Sequence, residues 1–146
     1  MDKFVFALDG VLRLRQRMEL LRQRDLSAAT LRVRGLELQV RDLDRQVRDC
    51  AAEVRRSHLT GRLDVGFLRH QREYLEAMRT RAAEIAREIT AGQIEAEKAR
   101  RAMEDEMRQR KVIEKLRQRQ FERWSGEQRR AEIEQADDAA ARGSRA

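Results

Sequence analysis

Two histidines, one cysteine and a run of three acids are the side chains of this 146-residue chain whose types could do chemistry. His58 and His70 stand twelve residues apart. A metal site or an acid–base pair needs further groups converging on them. None is placed nearby, so both read as solvated histidines beside a loop. Cys50 is the single cysteine, which allows no intramolecular disulfide and gives no argument for an oxidising compartment. It falls on an apolar heptad seam and reads as a small core residue. Glu104-Asp105-Glu106 reads as helix surface rather than as paired catalytic carboxylates, and no glycine-rich phosphate cradle is present. No catalytic residue, metal ligand or cofactor is expected, and the chain reads as a non-enzyme.

The elements that carry these residues follow from composition. Charged residues make up 40 %, aromatics 4 %, and there is no proline. An interior proline costs a helix about 3 kcal/mol, so its absence suits long helices, as does abundant Ala, Glu, Leu and Arg. No apolar run approaches the roughly 18 residues of a membrane span, and the expected location is cytoplasmic. The net charge is +7, and 29 of the 33 bases are arginine. Nucleic acid is one reading of that balance. The 26 interleaved acids favour a solvated helical surface instead.

Apolar residues recur at alternating spacings of three and four, the mark of a coiled coil. One series is Leu26, Ala29, Val33, Leu36, Val40, Leu43, Val47, Cys50 and Val54. The other is Leu75, Met78, Ala82, Ile85, Ile89, Gly92, Ala96, Ala99 and Met103, after which Met107 reads as a stutter. Between them lies SHLTGRLDVGF, with Gly61 and Gly66 as turn-formers and Asp64 placed to cap a second helix. The expectation is all-α: one coiled-coil rod over 1–146, folded as a long antiparallel two-helix hairpin. Helix one is expected over about 8–57, the hairpin loop over about 58–66, helix two over about 67–136, and a mobile tail over 137–146. Layers whose residue numbers sum to 132 pair Val40 with Gly92, Leu43 with Ile89 and Leu8 with Trp124. Val and Leu on the seam also suit a parallel dimer, which stays open.

Residues 1–24 carry six bases against three acids, and residues 100–130 eleven against six. An antiparallel hairpin brings these stretches together, so its basicity concentrates where the termini meet. The opening FVFALDGVLRLR then lies beside RQRQFERW at 117–124, with Phe4 and Phe6 expected beyond the last paired layer. Exposed aromatics on a basic surface imply docking to a partner with apolar and acidic complements.

Phe4-Val5-Phe6-Ala7-Leu8 followed by Val11-Leu12-Arg13-Leu14-Arg15 is similar to the amino-terminal pattern of the flagellar export protein FliJ family. Phe67-Leu68-Arg69-His70, running to Tyr74-Leu75 and Met78, resembles the start of that family's second helix, and the late FERW aromatics also fit. The resemblance spans almost the whole chain. It implies a stalk of the flagellar type III protein export apparatus, similar to the coiled coil of the ATP synthase gamma subunit. Implied partners are the hexamer of the export ATPase FliI, which the stalk binds and activates, the cytoplasmic domain of the export-gate protein FlhA, and export chaperones. No specific nucleic acid is implied, and the inner membrane at the flagellar base is reached through partners. The aromatic opening favours the flagellar branch over the equivalent stalk of virulence-type secretion systems.

The residues assigned to the ATPase ring are Phe4, Phe6, Arg13, Arg15, Arg117, Arg119, Phe121, Arg123 and Trp124. By resemblance, the gate-binding surface falls on Tyr74, Met78, Arg81 and Ile85. The family shows small or polar residues at the last two positions, where this chain departs. Tyr74 lies off the seam and is expected to have no core duty. A structural or nucleic-acid-associated arginine-rich coiled-coil dimer is the alternative reading.

Overall fold

The structure is a computed structural model that describes residues 3–59 and 64–144. Two helices account for it, α1 (Asp9–Leu59, 51 residues) and α2 (Val65–Gly143, 79 residues). They pack against each other as an all-α antiparallel hairpin, with no strand among the described residues.

Local chemistry accounts for the helices. Ion pairs one turn apart support both, among them Asp9–Arg13 at 2.9 Å and Asp44–Arg48 at 3.0 Å. The hydroxyls of Thr30, Thr80 and Thr90 donate back to the carbonyls of Leu26, Glu76 and Ala86, so these β-branched polar residues sit within a helix without competing for its ends. α1 opens where the Asp9 amide donates to the Phe6 carbonyl and the Leu12 amide to that of Leu8. α2 opens on Asp64, whose Oδ1 accepts from the amides of Gly66 at 3.0 Å and Phe67 at 3.2 Å. That is the N-cap expected of Asp64, and it satisfies two of the amides a helix start leaves without partners.

Of the loop expected over 58–66, residues 60–63 lie outside the described residues, while α1 reaches Leu59 and α2 begins at Val65. α2 also continues to Gly143, beyond the expected end at 136. Residues 129–144 are exposed throughout, so no packing holds this stretch. Its alanines, glutamates and arginines supply helix propensity of their own.

The chain divides into two compact units, Met1–Arg22 with Ala102–Ala146, and Gln23–Arg101. In the second, Leu36, Cys50 and Ile85 are buried, Ile85 to 1 % exposure, so Cys50 is a core residue. Val33 faces Gly92: a Cβ built on Gly92 would meet Val33 Cγ2 at 3.0 Å. The Cys50 thiol donates to Gln71 Oε1, and the Tyr74 hydroxyl to Gln46 Oε1 at 3.3 Å. In the first unit, Phe6 and Leu12 are buried, and ion pairs join Arg15 to Glu106 and Glu19 to Arg110.

These contacts correct the expected register. The paired numbers sum to between 120 and 129, centred near 125, about one heptad below 132. Val33, not Val40, lies against Gly92, and Phe4, not Leu8, reaches Trp124. A heptad seam maps onto itself after a slip of seven residues, so apolar patterning cannot choose between the two registers. The helix bounds choose: α1 ends at Leu59 and α2 begins at Val65, which calls for a sum near 124.

Candidate functional site

The unit formed by residues 1–22 and 102–146 carries the aromatic and basic residues that pointed to docking. The segment before α1 lays Phe4 on α2. Its ring meets Phe121 edge-on at a centroid distance of 5.3 Å, and Trp124 at 5.8 Å in a tilted contact. Phe121 and Trp124 are themselves 5.8 Å apart, three residues along one helix face. Such geometries suit the ring quadrupoles and are worth about 0.5–1.5 kcal/mol per pair beyond area burial. Phe6 is 6 % exposed and serves the unit's own packing. The two opening phenylalanines are therefore not left unpaired, as the 132 register required. The aromatic surface that remains is Phe121, 44 % exposed, with the half-buried Phe4 and Trp124 beside it.

The assigned arginines do not form one group. Arg117 lies on the same side of α2 as Phe121 and Trp124 by helical spacing, whereas Arg119 and Arg123, four residues apart, share another side. All three are exposed and make no ion pair among the described residues. Arg13 is paired with Asp9 at 2.9 Å, and Arg15 with Glu106 at 3.4 Å.

A charged cluster that the apolar series passed over sets this unit's register. Arg110 donates from Nε and Nη2 to the Glu19 carboxylate, and from Nη1 to Glu114 Oε2 at 2.8 Å. The side chains of Glu19 and Arg110 are 11 % and 21 % exposed. The hydrogen bond to Glu19, reinforced by Glu114, pushes the already high Arg110 pKa further up, so the guanidinium stays charged. The signal was available: steps of four, three and four back from Leu26 land on Arg22, Glu19 and Arg15. The matching steps from Met103 reach Glu106 and Arg110. The stripe read as a stutter at Met107 thus continues in phase, with charged side chains on the seam.

The residues matched to gate binding lie in the other unit. Tyr74 is half-buried and its hydroxyl bonds Gln46, so it contributes to the contact between helices, contrary to the expectation of no core duty. Met78 is half-buried, and Ile85 has almost no surface. Arg81 is exposed and pairs with Glu84 at 3.2 Å and Glu88 at 3.9 Å. Gln46, Asp49, Cys50, Glu53, His70, Gln71 and Tyr74 line an open groove whose polar rim and exposed His70 lack the ligand set of a metal centre. No cluster of three or more His, Cys, Asp or Glu suited to a metal occurs among the described residues. Elsewhere in this unit Glu97 is held down to about 2 by the Arg100 hydrogen bond, with Arg101 adding a second.

The family described as Flagellar FliJ protein matches residues 4–146. The chain belongs to the FliJ family. No curated protein and no solved structure matches it. FliJ membership makes it a component related to flagellar export, and both helices of the hairpin fall within the matched span. No described helix is long and apolar enough to cross a membrane.

Proposed function

We propose that this FliJ-family chain is a non-enzymatic stalk that binds and activates the export ATPase ring, FliI, and links it to the export gate. The family match over residues 4–146 carries the reading. The exposed Phe121, half-buried Trp124 and unpaired Arg117, Arg119 and Arg123 support its first half. An apolar anchor with Arg117 on its own side of α2, and Arg119 and Arg123 on another, fits a collar that offers apolar contact and acidic loops. Phe4 packs on Phe121 and Trp124, Phe6 is buried in the same unit, Arg13 adds an exposed cation paired with Asp9, and Arg15 helps fix the unit through Glu106.

Contact with the cytoplasmic domain of FlhA falls to the surface edge of Tyr74, Met78 and Arg81, with the buried Ile85 as the support beneath. Export chaperones are further partners, and these contacts hold the protein at the inner membrane of the flagellar base. Steady-state ATP hydrolysis by the export ATPase tests the reading. Phe121→Ala should weaken stimulation, and reversing Arg117, Arg119 and Arg123 to Glu should slow association more than it speeds dissociation. Unchanged stimulation by both variants, with helicity intact, rejects docking through this surface.

A further inference from the structure

The unit of residues 23–101 presents a second apolar line on α1, on the side away from α2. Ala28, Leu31, Gly35 and Leu38 follow one another at spacings of three, four and three. They stand about 200° around the helix from the seam residues Leu26, Ala29, Val33 and Leu36. Leu31 and Leu38 are each 61 % exposed. A Cβ built on Gly35 would meet nothing within 4 Å, so the glycine leaves an open notch between the two leucines. Buried Leu36 and half-buried Val33 already serve the contact with α2, so hairpin packing gives no reason for this outer line.

Charge selects the occupant. Arg24, Arg34, Arg41 and Arg45 flank the line, all exposed and without an ion pair among the described residues. Two acids lie with them, Asp42, which accepts from Gln46 at 3.0 Å, and Asp25 at the border, so bases still outnumber acids. A second copy of the face would set arginine against arginine. The acid-rich stretch 131–141 of this chain offers only Ile133 as a large apolar residue. Two leucines without an aromatic give little to bury in a lipid interface, whereas heptad spacing with a notch fits the ridge of a helix.

We infer that the Leu31–Gly35–Leu38 face of α1 docks an acidic amphipathic helix of a partner protein. Its leucine ridge seats in the Gly35 notch, and its carboxylates meet Arg24, Arg34, Arg41 and Arg45. This surface is separate from the one assigned to the ATPase ring, and the inference stands without that assignment.

The test uses the full chain and a synthetic helical peptide carrying leucines at heptad spacing flanked by glutamates. A charge-swapped lysine peptide and phosphatidylglycerol vesicles serve as comparisons. The glutamate peptide should bind at least tenfold more tightly than the lysine peptide, with affinity falling as salt rises. Leu31→Ala with Leu38→Ala should weaken it by roughly tenfold or more. Gly35→Gln fills the notch yet replaces a helix-interior glycine, so binding should fall while the thermal midpoint holds or rises. Equal binding of the two peptides, full binding by Gly35→Gln, or a preference for vesicles overturns the inference. So does concentration-dependent self-association that the leucine variants abolish.

Discussion

Gly92 is the residue on which the side chain of Val33 rests. A Cβ in its place would approach Val33 Cγ2 to 3.0 Å, closer than such contacts tolerate without movement. Gly35 and Gly126 have open space where their Cβ atoms would stand. Gly35→Ala and Gly126→Ala should therefore each stabilise by about 0.5–1 kcal/mol, the ordinary helix-interior gain. Gly92→Ala should forfeit that gain or destabilise, and Val33→Ala alongside it should restore the gain. Urea midpoints check all four variants; a full gain from Gly92→Ala alone would show that Val33 does not rest there.

Register is open to cross-linking. In a Cys50→Ala background, cysteines at Leu36 and Ile89 should join within one chain through a maleimide linker of about 8–10 Å, the usual spacing of packed helix axes. Cysteines at Leu36 and Ala96 should join poorly, because seven residues displace them by about 10 Å along the helix. The reverse preference would restore the register whose numbers sum to 132.

Ile85, at 1 % exposure, should carry more stability than any surface arginine. Ile85→Ala is expected to cost about 2–5 kcal/mol through lost contact and a residual cavity. Arg41→Ala should change stability by less than about 0.5 kcal/mol. Chemical denaturation with an unchanged slope distinguishes the two.

Glu19 and Arg110 share a seam, so loss of one partner is worse than loss of both. Glu19→Ala should cost about 1–3 kcal/mol by leaving the guanidinium partly enclosed without its carboxylate. Glu19→Leu with Arg110→Met should be near neutral or stabilising, while allowing slipped registers that the ion pair forbids. A double variant as unstable as Glu19→Ala would mean that the pair is itself a source of net stability.

The lowered pKa of Glu97 predicts a sign for acid sensitivity. Its charged form is favoured in the folded helix, so its contribution is present above about 4.5 and disappears as pH falls through about 2. Thermal midpoints measured over that window should fall less steeply with acid in Glu97→Gln than in the parent. Equal slopes would show that the Arg100 and Arg101 bonds do not persist in solution.

Much of this was legible without coordinates. The three–four spacing identified both helices and the buried face of each. Asp64 marked the start of α2, and the order of aromatic motifs pointed to the FliJ family. Those features are local, written in the side chains of one turn and the next. Pairing between helices is not local. A slip of seven residues leaves apolar opposite apolar, so only the helix bounds at Leu59 and Val65, the Gly92–Val33 contact and the Glu19–Arg110 pair select among registers. That choice determined whether the opening phenylalanines lay free or against α2: in the observed register Phe4 meets Phe121 and Trp124, and Phe6 is buried. Periodicity set which face of each helix is buried; long-range contacts decided what each residue on that face meets.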